Sequence, residues 1–400
     1  ALSWHLGRKQ ADAKDYYLGG NDLSWWSVGI STMATQCSTN SLLGAPAFVI
    51  GTGLIWLQYE FALPLAMVFI MIFLLPFYRK LNLVSVYTYQ EKRFGPKART
   101  ILSLTFQVLR AFATGVTVYG IAIVLENIID IDFAVAVIIL GVVTVIYDML
   151  GGMAAVVLSD VIQMIILYLG IVLCLVYSID AVGGFSEIFS SFVELGPVLE
   201  AHHPTVARYI APGLASSVEG VGGIAEFYNS FADLGPALGS VFELTPEMES
   251  VFGKEYVDKF VGTQAVDFHG HGLSKETEYG FWPMLFGGLF LYVSYYGTDQ
   301  TQVQRELSSK NIDDTNRSLM LNGMLRFPLV LTYCFLGVCI GAYIVKNPEF
   351  IGLLPIENNA INYNLAVPTF VTHSLPHGVI GLVMVALFSA AMSSLDSTIN

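Results

Sequence analysis

The 400 residues are 54% hydrophobic and only 13% charged, against about a quarter charged in an ordinary soluble domain. With a mean hydropathy of +0.62, too few charges remain to cover a soluble fold of this length. A net charge of −13 argues against nucleic acid as a partner, because phosphate binding draws on an excess of Lys and Arg. Cys37, Cys174, Cys334 and Cys339 all lie inside apolar blocks, so neither a disulfide framework nor a metal-ligand spacing is read from them.

Apolar blocks long enough to cross a bilayer core of about 30 Å predict eight membrane-spanning helices: 26–50, 54–78, 99–126, 133–150, 154–179, 281–303, 318–345 and 378–400. The chain is thus expected to be an all-α integral membrane protein. Lys and Arg placement sets its orientation. With residues 1–25 as a cytoplasmic leading segment, the inside connections hold Arg8, Lys9, Lys14, Arg79, Lys80, Lys92, Arg93, Lys97, Arg99, Arg305, Lys310 and Arg317. That is twelve of the nineteen basic residues, whereas the short outside connections near 51–54 and 126–133 hold none. Residues 180–280 carry fifteen acids and four bases and read as an acidic extracytoplasmic insertion of loops and short helices. The spacing of His202, His203, His269 and His271 matches no standard ligand set, so no bound metal other than a transported ion is expected.

Ionisable side chains inside spans are costly and usually face a cavity or a partner. Here they are Glu60, Arg110, Asp160, Asp299, Arg326 and Asp396. The plainer reading is that some form helix-to-helix ion pairs or reach water near a span end. The first span contains Ser31-Thr-Met-Ala-Thr-Gln-Cys-Ser-Thr-Asn-Ser41, too polar for a regular lipid-facing helix but suited to an interrupted one lining a watery cavity. The sixth has a similar fault at Tyr295-Tyr-Gly-Thr-Asp-Gln300. Close packing through small residues accounts for one such stretch and poorly for two. Transporters built from inverted five-helix repeats break the first helix of each repeat and bind solute and ion between the breaks. Spans one to five (26–179) fit a first repeat, and residues 281–400 the first three helices of a second. The abrupt opening at Ala1 and the stop at Asn400 inside a helical pattern predict a fragment truncated at both ends. In the last span, Ser393, Asp396, Ser397 and Asn400 share one helix face. Hydroxyls and a carboxylate are hard oxygen ligands that suit Na+, and Asp160 lies deep enough in span five to reach them.

Several stretches resemble the sodium/solute symporters, which include sodium–glucose, sialic acid, multivitamin, monocarboxylate and iodide transporters. They are Tyr16-Tyr-Leu-Gly-Gly-Asn-Asp-Leu-Ser-Trp-Trp26, Leu75-Pro-Phe-Tyr-Arg79 with Tyr87-Thr-Tyr-Gln-Glu-Lys-Arg-Phe-Gly95, Leu150-Gly-Gly-Met-Ala-Ala-Val156 with Ser159-Asp-Val-Ile-Gln163, Tyr296-Gly-Thr-Asp-Gln-Thr-Gln-Val-Gln-Arg305, and Ala390-Ala-Met-Ser-Ser-Leu-Asp-Ser397. They follow in order over nearly the whole chain; only 195–263 looks like an addition. The resemblance implies the leucine-transporter-type fold of inverted five-helix repeats.

It also implies sites. The family's common sodium site uses backbone carbonyls that fall on Ala34, Cys37 and Ala390, with the hydroxyls of Ser393 and Ser394. A second sodium site, carried by some members, falls on Asp160, Asp396 and Ser397 together with Ser393; Asp396 replaces a family serine. Glu60 matches a glutamate of the sugar transporters. Their other solute contacts match less well: Ser41 stands for a glutamine, Tyr292 for an asparagine and Arg326 for a lysine, while Tyr295 takes the place of an aromatic inner gate. The run from Gly297 to Arg305 looks more like the vitamin, monocarboxylate and iodide branch. Tyr147-Asp148 replaces an aromatic–Thr pair. The implied activity is Na+-coupled uptake of a small organic solute across the plasma membrane by alternating access, with no enzymatic step and no cofactor beyond the coupling ion. A sugar or polyol is slightly favoured, because Glu60 would repel an anion; a carboxylate or vitamin is the other reading. Two other classes stay open: a transporter-like membrane sensor, and an intramembrane enzyme using paired carboxylates. The sensor would be marked by a signalling domain after the last helix. The enzyme lacks a metal-binding His pair or nucleophile motif.

Overall fold

The computed structural model describes residues 13–188 apart from 53, 82, 84 and 130, and residues 281–399 apart from 358 and 359. Most of the predicted acidic insertion, from 189 to 280, lies outside the described residues. Twelve helices organise the rest: α1 (Ala13–Leu18), α2 (Trp25–Gln36), α3 (Thr39–Thr52), α4 (Leu57–Lys80), α5 (Val86–Phe94), α6 (Pro96–Ile129), α7 (Phe133–Val182), α8 (Phe281–Thr298), α9 (Gln300–Leu307), α10 (Ile312–Lys346), α11 (Ala366–Ser374) and α12 (His377–Ile399). A two-stranded hairpin, β1 (Ile356–Glu357) with β2 (Ala360–Ile361), lies in the connection before α11.

Among the described residues, five helices are long and apolar enough to cross a membrane: α4, most of α6, the second arm of α7, most of α10 and α12. The other predicted spans are interrupted or short, and each has a local cause. The first is split into α2 and α3 at Cys37-Ser38, where Cys37 leaves helical geometry (φ −79°, ψ 77°). The sixth is split into α8 and α9 at Asp299, whose extended backbone and side chain cap α9 by accepting from the Thr301 N–H at 2.9 Å. Asp at this position satisfies a helix-start donor that would otherwise be orphaned in apolar surroundings. Spans four and five are two arms of α7, turned at Gly152 (φ 58°, ψ −169°), a conformation open in practice only to glycine. Within α4 a π-type turn, Ile70–Leu74, precedes Pro76, whose ring and missing N–H cannot sit in a regular ladder.

The second arm of α7 packs along α12 so closely that a Cβ on Gly170 would stand 2.4 Å from the Ala386 Cβ. These helices run antiparallel, so moving from Gly170 back to Asp160 and from Ala386 on to Asp396 keeps the same interface and brings two acids into one neighbourhood. The largest apolar core unites α2, α3, α7, α10, α11 and α12; a smaller one joins α4 to α8 around Tyr292 and Tyr296. Lipid-facing apolar residues stay exposed on the outer helices, Phe112 and Leu109 on α6 among them.

Candidate functional site

The two helix breaks lie at the centre of the site. At the first, the Cys37 N–H closes onto the Ala34 carbonyl at 3.0 Å, and no helical residue continues the ladder. Helix α12 faces it: the Ser393 hydroxyl donates to Ala34 O at 3.3 Å and to Ala390 O at 3.1 Å, and the Ser394 hydroxyl donates to Ala390 O at 3.3 Å. Ala34, Ala390, Ser393 and Ser394 therefore meet around one point, with Cys37 at the adjoining end of α2. The donor set is uncharged and made of hard oxygens, which fits a monovalent cation better than a divalent one.

At the second break, a freed carbonyl is met by a side chain, and a side chain from the break meets the start of α5. Tyr78 donates to the Gly297 carbonyl at 2.7 Å, and Gln300 Oε1 accepts from the Val86 N–H at 3.1 Å. Arg110 pairs with Asp299 at 2.9 Å, donates to Thr301 Oγ1 at 2.6 Å and lies over the Tyr295 ring at 5.6 Å. The helix-to-helix ion pair expected as the plainer reading of Arg110 and Asp299 is thus present.

Between the breaks lies a cavity of about 220 Å³, lined by Thr35, Gln36, Ser38, Arg110, Tyr292, Tyr295 and Ser394 among others. Tyr296 donates to the Gln36 side chain beside it. Of the expected pocket residues, Tyr292 and Tyr295 form its wall. Glu60 and Arg326 do not line it: both are buried, 3.6 Å apart, and Arg326 Nη1 also donates to Cys37 Sγ at 3.3 Å. Ser41 is turned onto the Gln36 carbonyl at 3.5 Å.

Asp160 departs from the picture of a hydrated acid near the inner surface: it is fully buried. It accepts from Ser31 at 2.5 Å and pairs with Arg305 at 3.3 Å. Arg305, counted by sequence among the cytoplasmic loop cations, is instead 1% exposed. Its Nε donates to Ser31 Oγ at 2.9 Å, its Nη1 to Thr301 O at 2.8 Å and its Nη2 to Ser397 Oγ at 2.7 Å. Ser397 Oγ in turn lies 3.0 Å from Thr35 Oγ1 and 3.3 Å from Asp396 Oδ1. One guanidinium thus ties α2, α7, α9 and α12 together. The sequence carried one usable sign of this: α9 continues the sixth span past the break, so a residue one turn beyond Thr301 still faces the interior.

Helices broken at the first position of each of two repeats, with oxygen donors converging on the breaks, define a class: multi-pass membrane proteins of the inverted five-helix-repeat fold. The comparisons agree. The chain belongs to the sodium:solute symporter family, whose pattern matches residues 16–400. It is 26% identical, over its whole length, to the sodium/sialic acid symporter NanT of Aliivibrio fischeri, and 24% identical over 98% of its length to the sodium/glucose cotransporter of Vibrio parahaemolyticus. The human sodium/iodide cotransporter is 22% identical over 98% of the chain. A solved structure of a Na+-coupled sialic acid symporter, substrate-bound and outward-open, shares the fold with a TM-score of 0.74 at 23% identity, covering 99% of this chain and 68% of the other. The chain spans 65% of the length of the sialic acid relative and 62% of the glucose relative.

Proposed function

We propose that this chain is the greater part of a plasma-membrane transporter that couples inward Na+ movement to uptake of a small organic solute. The observation that carries the reading is the meeting of α12 with the break after α2: the Ser393 hydroxyl lies 3.3 Å from the Ala34 carbonyl, and both Ser393 and Ser394 reach the Ala390 carbonyl. A cation there would be held by one element from each repeat, so its binding would favour one relative placement of the two repeats over another. That differential binding is what coupling requires. Asp160, Asp396 and Ser397 are the candidates for a second cation place.

For the solute, we favour a neutral, hydroxyl-rich molecule of sugar or polyol type. Glu60 and Arg326 neutralise each other at 3.6 Å, and Arg110 is engaged by Asp299, so no unpaired charge is offered to the cavity by these groups. What remains is hydroxyls, an amide and aromatic walls, the usual complement for a polar uncharged ligand. A carboxylate such as sialic acid, or a vitamin, is the competing cargo. Uptake into proteoliposomes decides it. Accumulation of a hexose or polyol under an inward Na+ gradient, absent with choline, supports the reading. Competition by sialic acid or monocarboxylates with no effect of hexoses or polyols overturns the choice of solute. Accumulation indifferent to Na+ overturns the coupling.

A further inference from the structure

The elbow between α5 and α6 gathers positive charge that the fold itself does not take up. Residues 79–99, read above as an inside connection, hold six bases and one acid, in a chain of net charge −13. Two of the bases are engaged. Arg79 donates inward to Thr315 Oγ1 at 2.7 Å and to Ser309 O at 2.8 Å, and Arg99 pairs with Glu91, the one acid, at 2.6 Å. Lys80, Lys92, Arg93 and Lys97 are exposed and make no ion pair among the described residues. Lys92, Arg93 and Lys97 crowd round the turn at Gly95 (φ 87°). Arg93 meets neutral groups, the Tyr89 hydroxyl at 2.9 Å and the Phe94 ring at 5.4 Å.

The elbow is a fixed surface. Tyr89 packs on Phe77 of α4 with ring centroids 5.0 Å apart, Tyr87 packs on Phe106 of α6 at 5.8 Å, and the Val86 N–H donates to Gln300 of α9 at 3.1 Å. It also continues into apolar surface of one particular shape. From Lys97, one face of α6 runs through Ile101, Leu104 and Val108 at helical spacing, and these three are 65%, 61% and 48% exposed. A cation at the membrane edge with an apolar strip leading from it into the bilayer matches a charged headgroup followed by a hydrocarbon chain. A soluble anion would use the charge and leave the strip bare. We propose that this elbow binds an anionic phospholipid of the cytoplasmic leaflet, its phosphate held by Lys92, Arg93 and Lys97 and one acyl chain lying along Ile101, Leu104 and Val108. Basic clusters just inside a span attract anionic lipid by about fivefold per Lys or Arg, so the three together favour it by about 100-fold over a zwitterionic lipid.

Native mass spectrometry of the whole protein tests this. The protein is released from micelles holding phosphatidylglycerol and phosphatidylcholine of the same chains, and the retained lipid is counted as the phosphatidylglycerol content is raised. Phosphatidylglycerol is expected to be retained in preference. Lys92→Gln/Arg93→Gln/Lys97→Gln should lose that preference, while Lys92→Arg/Lys97→Arg should keep it. Lys310→Gln/Arg317→Gln, which removes two bases of another inside connection, should also keep it. Glycerol 1-phosphate, the charge without the chains, should not displace the lipid. Equal retention of the two lipids overturns the proposal, as does a preference that survives the triple replacement or falls equally in Lys310→Gln/Arg317→Gln. Displacement by glycerol 1-phosphate overturns the lipid in favour of a soluble phosphate. Should the triple variant fail to fold, Lys97→Gln is read in its place: a loss of about fivefold supports the proposal, and no loss refutes it.

Discussion

Replacing Gly170 by Ala pits two effects of opposite sign against each other. Helix propensity favours the change by up to about 1 kcal/mol, because glycine loses the most backbone freedom in a helix. The interface opposes it. The new Cβ would stand 2.4 Å from the Ala386 Cβ, well inside the ordinary carbon–carbon separation of about 3.5–4.0 Å. Neither carbon is the end of a flexible side chain, so α7 and α12 must move apart along their shared face. Overpacking of this kind costs about 1–3 kcal/mol, which exceeds the propensity gain over most of its range. The remaining neighbours, the Val383 and Ala386 Cα atoms at 3.8 and 3.9 Å, are at ordinary van der Waals separation. Shaving Ala386 to Gly should therefore relieve nearly the whole strain. The expected outcome is that Gly170→Ala lowers the thermal unfolding temperature in detergent, and that Gly170→Ala/Ala386→Gly recovers it. In a double-mutant cycle the two changes should couple by about 1–2 kcal/mol, within the range for touching residues. Purely additive losses, or a Gly170→Ala protein as stable as the original, would refute this helix–helix register and with it the placement of Asp160 opposite Asp396.

Ser393→Ala/Ser394→Ala should weaken Na+ binding about 5- to 150-fold, the equivalent of about 1–3 kcal/mol for the cation's missing hydroxyl ligands; isothermal titration with NaCl against choline chloride measures it, and unaltered affinity would remove both hydroxyls from the site. Glu60→Gln or Arg326→Gln alone should cost about 3–5 kcal/mol by leaving one buried charge unpaired, while the double replacement should cost less than either; thermal unfolding of the three variants is the check, and additive losses would show that the pair is not an ionic unit. Glu306, on α9, is fully buried, with both carboxylate oxygens lacking a hydrogen-bond partner; a carboxylate left unmet in the interior is costly, so Glu306→Gln should unfold at a higher temperature than the original, and an unchanged or lower temperature in thermal unfolding would show that the carboxylate is met in the folded protein.

Much of this was open to sequence reasoning, for reasons that differ by residue. Lipid demands long apolar stretches, so spans such as 318–345 and 378–400 announce themselves as α10 and α12. Both helix breaks were legible because polar runs at 31–41 and 295–300 have no other comfortable place in a membrane. Glu60 with Arg326 and Arg110 with Asp299 could be suspected of pairing, since each is too costly alone. Which acid met which base was not readable, because the choice depends on how helices far apart in sequence lie side by side. Arg305 shows the limit most plainly. The rule that basic residues mark cytoplasmic loops is a statement about averages, and it assigned to water a residue that the fold places against Asp160. The turn at Gly152 falls in the gap between the expected spans 133–150 and 154–179, although its cause, a backbone conformation closed to other residues, appears only in three dimensions.

The Asp160–Arg305 pair also sets a problem of timing during synthesis. The two residues are 145 positions apart, so at about 5–20 residues per second the acid leaves the ribosome roughly 7–30 s before its partner. Through that interval the hairpin formed by the arms of α7 carries a carboxyl group destined for a dry interior, at an insertion cost of about 2.5–3.5 kcal/mol if it stays ionised at mid-membrane. A bound proton, or shelter within the insertion machinery, removes that cost until α9 arrives. The residues from 189 to 280 lengthen the delay. Completion of the first repeat is in this sense postponed until the second repeat delivers its arginine, which makes a later-made helix the one that commits the first-made helices to their final packing.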